Sequence, residues 1–162
     1  MVSKLRLVFS ISILFLSFYG YSQRNYWKQE SGPANLNASI SKRFEVQKGK
    51  VYSFDETKFK NDISKGQTSK KIPITVRFPN EKGEYIDFFV NETPVFSQKL
   101  AAKYPNIKSY SGYSLKNRDD KIRFSVSHKG IQAMIVYGNQ KGNCFLQKTS
   151  DGTYISYTHD GE

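Results

Sequence analysis

Apolar and polar residues alternate with a period of two along much of the chain. In IPITVRF, residues 72–78, one face collects Ile72, Ile74, Val76 and Phe78. EYIDFFV, residues 84–90, repeats this alternation after the turn sequence PNEKG. Alternation of this kind on both sides of a turn is typical of paired antiparallel strands. The two segments are therefore predicted to form a hairpin.

Similar patterns predict further strands, in FEVQKGKVYSF at 44–54, in 107–114, in KIRFSVSH, in IQAMIVY, in CFLQKT and in YISYT. IQAMIVY, at 131–137, is apolar on both faces and is predicted to be the most central strand. The turns between the last four segments contain the Gly or Asn residues that positive φ angles favour. The predicted fold class is mainly β (α+β), an antiparallel sheet or sandwich of roughly seven or eight strands with two short helices.

The first short helix is predicted over residues 56–63. Asp55 is a good N-cap, and Phe59 and Ile63 lie four residues apart, so both would face the same side of the helix. Gly66 supplies a natural end. A short helix with one apolar side is expected to pack on the sheet.

The second short helix is predicted after Ser97, whose hydroxyl is a good N-cap. Leu100, Ala101 and Tyr104 are predicted to form its inward stripe. Pro105 ends it, because a residue before proline is driven away from helical angles. Residues 107–114 then continue as an extended segment, in which Gly112 marks a bend or a close approach of two backbones.

The chain opens with the features of a secretory signal peptide. Lys4 and Arg6 precede an apolar run, and small residues follow at Gly20 and Ser22. Such a pattern predicts cleavage near Ser22 and a secreted protein, extracellular or periplasmic, without a membrane anchor. The predicted organisation is a signal peptide at 1–22, a flexible arm at 23–43 with Trp27 as its anchor, a β domain at 44–158 and a tail at 159–162.

The charge of the chain is strongly basic but dispersed. Its 25 Lys and Arg residues against 14 Asp and Glu give a net charge of +11. Removing the two basic residues of the signal peptide leaves 23 − 14 = +9 for the mature chain. No nucleic-acid recognition motif accompanies this charge, so nucleic acid is not an expected partner. The single cysteine, Cys144, excludes an internal disulfide.

Several stretches resemble the N-terminal propeptide of secreted bacterial reprolysin-like zinc metallopeptidases, which are related to the adamalysins. The most specific stretch is LAAKYPNIKSYSG at 100–112. Others are Trp27-Lys28, the segment from Val90 to Val95, IRFSVSHKGIQAMI at 122–135, and YISY at 154–157. The similarity covers most of residues 26–157.

The resemblance implies a prodomain that assists the folding of an adjacent metallopeptidase and keeps it latent. The implied partner is the catalytic domain, in cis or in trans, and zinc is expected there rather than in these residues. The zinc motif H-E-x-x-H-x-x-G-x-x-H does not occur in the sequence. The chain itself is therefore not expected to be an enzyme, and no catalytic residues or cofactors are assigned to it.

The remaining candidates for site residues are the cysteine, two histidines and a set of aromatic and basic side chains. Cys144 would act as a latency switch if its thiolate reached the zinc of a protease, but a free cysteine that opens an apolar run is more often a small buried residue. His128 and His159 have no neighbouring ligand at a spacing that suits a metal. The aromatic and basic side chains expected to contact a partner are Tyr104, Lys108, Tyr110 and Tyr113.

Aromatic residues in strands more often belong to a core than to a binding surface. Tyr110 and Tyr113 fall on opposite faces of an extended segment, so one of them is poorly covered unless both faces are packed. The alternative function is a freestanding extracellular binding module for acidic glycans or for a protein partner. Binding that weakens steeply with added salt would favour the glycan function.

Overall fold

The structure is a computed structural model that describes residues 25–31, 49–67, 74–138 and 142–159, except for the side chains of Gln67 and His159. Nine strands form one antiparallel sheet in the order β1-β2-β9-β8-β7-β6-β5-β4-β3. The strands are β1 (Trp27–Gln29), β2 (Lys50–Phe54), β3 (Ile74–Pro79), β4 (Tyr85–Glu92), β5 (Lys108–Ser114), β6 (Lys121–Ser127), β7 (Gly130–Val136), β8 (Asn143–Lys148) and β9 (Tyr154–His159). The described residues also form two helices, α1 (Glu56–Gln67) and α2 (Gln98–Lys103).

The mainly β class is confirmed, with nine strands rather than seven or eight. The predicted first hairpin is present as β3 and β4, in which Val76 pairs with Phe88. β7 occupies the middle of the strand order, as its apolar sequence predicted. The additional strand is β1, which lies within the segment assigned to a flexible arm. Ile72 and the predicted strand residues 44–48 lie outside the described residues.

The sheet is curled into a half-barrel, and its two edge strands, β1 and β3, are joined by a hydrogen bond. The indole nitrogen Nε1 of Trp27, in β1, donates a hydrogen bond of 2.8 Å to the carbonyl oxygen of Arg77 in β3. The hydroxyl of Tyr85 donates in turn to the carbonyl oxygen of Trp27 at 3.3 Å. Trp27, which the sequence predicted to be an anchor, is only 2% exposed. Through its hydrogen bond to Arg77 it links both edges of the sheet.

Helix α1 packs on the inner face of the half-barrel. Phe59 is fully buried and Ile63 is 3% exposed, which confirms the predicted apolar side of this helix. The ring of Phe59 lies 5.3 Å from Phe54, 6.1 Å from Phe78 and 6.0 Å from Phe124. Offset and edge-on contacts of this kind add to the stability gained by burying the rings. The helix continues to Gln67, one residue beyond Gly66.

The first turn of α1 is fixed to the sheet by Glu56. Its Oε1 accepts hydrogen bonds from Lys148 Nζ at 2.5 Å and from the hydroxyl of Tyr154 at 2.7 Å. Burial alone would raise the pKa of Glu56, but the hydrogen bonds from Lys148, Tyr154 and Lys60 outweigh it and lower the pKa. The carboxylate therefore stays charged and ties the start of the helix to β8 and β9.

Gly112 confirms the predicted close approach of two backbones. It lies in β5 opposite Val90, and a Cβ atom at this position would overlap the carbonyl group of Phe89. Only a residue without a side chain fits there. This close contact holds β5 firmly on β4, which is the strand that leads into α2.

Candidate functional site

The candidate site is built around the segment that connects β4 to β5, residues 93–107, which we call the junction. Its helix, α2, begins where Ser97 Oγ accepts the backbone N–H of Leu100 at 3.4 Å. It ends where the N–H of Tyr104 donates to the carbonyl of Leu100 at 3.1 Å. Both ends agree with the predicted cap and the predicted stop before Pro105.

The predicted inward stripe of α2 is wrong. No residue of the helix is buried, and only Ala101 of the stripe is half-buried. Leu100 is 40% exposed and Tyr104 is 44% exposed. The physical reason is that this two-turn helix packs on the connecting segments on either side of it. Ala101 lines a small cavity there beside Pro94 and Ile107, so the helix does not reach the core.

Apolar side chains are therefore presented to solvent along the junction. Val95 is 66% exposed, and it lies within ten residues of both Leu100 and Tyr104. These three are half of the six large hydrophobic residues that are exposed in the described part of the chain. Exposed apolar groups that concentrate in this way are typical of surfaces that bind another protein.

Two of the four predicted contact residues lie at the junction. Tyr104 is exposed, with the ammonium group of Lys103 5.7 Å from its ring centroid. Lys108 starts β5 and forms an ion pair of 2.8 Å with Glu92 at the end of β4. Both line the small cavity beneath α2, so the structure brings them together.

The other two predicted contact residues lie elsewhere. Tyr110 is 3% exposed and stacks on Phe124 with 4.8 Å between ring centroids, so it belongs to the core and offers no surface to a partner. Tyr113 is half-buried on the opposite, outer face of the sheet. There its ring lies within 5.0 Å of the guanidinium of Arg118 and 5.8 Å of the ammonium of Lys121.

A groove on the outer face of the sheet adjoins the junction and was not predicted from the sequence. Its volume is about 330 Å³, and it crosses β5, β6, β7 and β8. Strand register places its side chains in two rows, one of Ser109, Ser125, Gln132 and Gln147, the other of Ser111, Arg123, Met134 and Phe145. We call it the outer-face groove.

One wall of the outer-face groove is the start of the junction. The N–H of Thr93 donates to the carbonyl of Ser109 at 2.8 Å, and its hydroxyl lies 2.7 Å from that of Ser111. These contacts hold Thr93 against β5 and place the exposed Val95 at the rim of the groove. The junction and the groove thus form one continuous surface.

Cys144 faces the inner core and is 1% exposed. Burial, with the nearby Glu81 carboxylate, raises the pKa of its thiol far above the usual range. A thiolate is therefore disfavoured there, as expected for a small buried residue rather than a zinc-binding switch. Among the described residues no group of three or more His, Cys, Asp and Glu side chains is arranged to hold a metal. His128 is exposed in the turn between β6 and β7.

No family model matches the sequence, and no curated protein matches it. One solved structure, described as "Structure of a chaperone-substrate complex", is similar to 74% of this chain over 94% of its own, with 22% identity and a TM-score of 0.42. A likeness of this size leaves the function to be argued from the chain's own residues. In the part of the chain that the structure describes, no helix has the length and apolar character to cross a membrane.

Proposed function

We propose that this chain is the secreted prodomain of a zinc metalloendopeptidase, where it assists folding and maintains latency by covering the catalytic domain. The observation that carries the proposal is the junction, a capped helix without a buried side chain on a well-packed sheet. The same residues contain the stretch that most specifically resembles reprolysin-like propeptides, LAAKYPNIKSYSG.

The physical argument is that the junction exposes apolar surface at a fixed position. Its ends are held by the ion pair between Lys108 and Glu92 and by the hydrogen bonds of Thr93 to β5. Burying Val95, Leu100 and Tyr104 against a partner would be favourable by about 25 cal/mol for each Å² of apolar area removed from water. Because the segment is already ordered, little conformational entropy would be lost on binding.

The exposed edge of the sheet is a weaker candidate for the same contact. A partner strand can be added to an edge only where backbone groups are free. In β3 the carbonyl of Arg77 is already bonded to Trp27, and β1 is only three residues long. The junction is therefore the surface that we assign to the catalytic domain.

The alternative, an acidic-glycan module, is supported by the exposed cations Arg118 and Lys121 beside Tyr113. However, Arg118 and Lys121 both lie over the ring of Tyr113, so a sugar could stack there only by displacing one of them. Such binding would weaken steeply with salt, because exposed charges are screened within about 10 Å at 0.1 M ionic strength.

The test is to titrate the purified chain into a secreted bacterial reprolysin-like catalytic domain and to follow hydrolysis of a fluorogenic peptide. We expect saturable inhibition in the nanomolar to micromolar range. Leu100→Glu should weaken it by about tenfold or more, since a charge would enter an apolar contact. Leu115→Glu is the matched control, because Leu115 is similarly exposed, at 45%, but lies outside the junction. Undiminished hydrolysis at saturating chain, or equal effects of the two variants, would contradict the proposal.

A further inference from the structure

We propose that the outer-face groove binds an extended segment of the partner protein in which an acidic residue and an apolar residue lie two positions apart. The inference rests on the proposed function only for the source of this segment. Its chemistry follows from the side chains that line the groove.

The positive charge of the groove comes from Arg123, which lies between Ser111 and Met134 in its row. It is exposed on β6, and its cross-strand neighbours Ser111 and Met134 are uncharged. None of the described residues that line the groove is acidic, and Arg123 forms no ion pair with a described carboxylate. A guanidinium group binds a carboxylate through two parallel hydrogen bonds, so Arg123 complements an Asp or Glu side chain.

The apolar end lies one and two strands further on, at Met134 and Phe145. Phe145 stacks on Tyr157 with 5.7 Å between ring centroids, which fixes its ring on the outer face. Met134 is half-buried and sits between Arg123 and Phe145 in the row. A flexible thioether beside an aromatic ring accommodates aliphatic side chains of different shapes.

The spacing of the strands beneath Arg123, Met134 and Phe145 determines how far apart the acidic and apolar residues of the bound segment lie. Neighbouring strands lie about 4.8 Å apart, so the four strands beneath the groove extend over about 14 Å. An extended peptide rises about 3.4 Å per residue, and its side chains on one face repeat about every 6.8 Å. A carboxylate held by Arg123 would therefore place the side chain two residues later between Met134 and Phe145.

The second row of the groove suits the backbone of such a segment. Ser109, Ser125, Gln132 and Gln147 are all uncharged and offer both donors and acceptors. An extended segment needs partners of this kind, because its backbone N–H and C=O groups lose water on binding. At the rim the groove continues into the junction at Val95, so one partner could occupy both surfaces.

The probe is a fluorescently labelled eight-residue peptide with the repeat glutamate-serine-leucine-serine, which places acidic and apolar side chains alternately on one face. The control peptide has the same composition in the order glutamate-leucine-serine-serine, which separates them onto opposite faces. Fluorescence anisotropy against the purified chain should show saturable binding that is at least about tenfold tighter for the first peptide.

Arg123→Gln should weaken binding of the first peptide by about tenfold, as the charged hydrogen bonds are lost. Lys129→Gln is the charge-matched control, because Lys129 is exposed in the turn at the end of β6 and does not line the groove. It should change the affinity by less than about twofold at 0.15 M salt. Unchanged thermal unfolding will show that both variants are folded.

Equal affinities for the two peptides, no saturable binding, or equal effects of the two variants would overturn this inference. So would tighter binding of a sulfated glycan that is weakened by Arg123→Gln while neither peptide binds. If the chain inhibits the catalytic domain but does not select the first peptide, peptide binding in the groove is disproved and the proposed prodomain function is unaffected. If the chain selects the first peptide but does not inhibit the catalytic domain, the proposed prodomain function is disproved and peptide binding in the groove stands.

Discussion

The two helices in the described part of the chain have similar local signals and opposite positions in the fold. Each starts after a short polar side chain that accepts a backbone N–H, Asp55 for α1 and Ser97 for α2. Helix α1 buries Phe59 and Ile63 against the inner face of the sheet, whereas α2 buries no residue at all. One helix covers the core, and the other presents its side chains to solvent.

The difference comes from what each helix contacts. Helix α1 follows β2 directly and is tied to the sheet through Glu56, so its apolar side faces the aromatic rings of the half-barrel. Helix α2 is a six-residue segment between two adjacent strands, and it packs on its own connecting segments rather than on the core. A helix that contributes nothing to the core is free to serve a contact with another molecule, and its sequence can be changed without unfolding the protein.

The largest expected effect is the contrast between Phe59→Ala and Leu100→Ala. Replacing a fully buried phenylalanine by alanine should lower the free energy of unfolding by about 3–5 kcal/mol, since it removes buried surface and leaves a cavity. Leu100→Ala should change it by less than about 0.5 kcal/mol, because the side chain is exposed. Urea unfolding followed by tryptophan fluorescence measures both. Similar losses for the two variants would show that α2 also supports the core.

The next effect concerns the attachment of α1 through Glu56. Glu56→Gln should lower the free energy of unfolding at neutral pH by about 1–2 kcal/mol, because charged hydrogen bonds to Lys148 and Tyr154 are weakened. Since the pKa of Glu56 is lowered in the folded state, this stabilisation is present above the ordinary carboxyl pKa of 4.5 and is lost as the pH falls through the folded pKa.

The measurement is the free energy of unfolding of both proteins between neutral pH and acid. The gap between the wild type and Glu56→Gln should narrow as the pH falls below 4.5. Lys58→Gln is a useful control, because Lys58 lies in the same turn of α1 but is exposed. A gap that stays constant down to acid pH would mean that the carboxylate charge does not hold this helix.

The sequence predicted the local parts of the fold. Alternation placed Val76 and Phe88 on a common face, and both lie in the core. The cap residues Asp55 and Ser97 and the close approach at Gly112 are also present. Each of these features depends on residues that are near in the chain or on a preference of one residue type, and such preferences can be read without tertiary contacts.

The features that escaped prediction all depend on distant residues. β1 is a strand because it pairs with β2, with Trp27 opposite Phe54, and the side chain of Trp27 also reaches Arg77, fifty residues away in the chain. The outer-face groove exists because four strands are in a register that aligns Arg123 with Met134 and Phe145, and alternation within one strand does not show which residues lie opposite it on the neighbouring strands. The exposed stripe of α2 was misassigned because apolar periodicity shows that one side is distinct but not what covers it.

The smallest expected effect is the difference in the free energy of unfolding between variants of the two helix caps. Asp55→Ala should lower the free energy of unfolding by about 1 kcal/mol, since its carboxylate accepts the N–H of Lys58 at 2.9 Å in a helix that closes the core. Ser97→Ala should lower it by only a few tenths of a kcal/mol, because α2 can fray while the sheet stays folded. Hydrogen exchange at Leu100 should nevertheless become faster in Ser97→Ala. A Ser97→Ala variant that loses as much global stability as Asp55→Ala would show that α2 unfolds only together with the sheet.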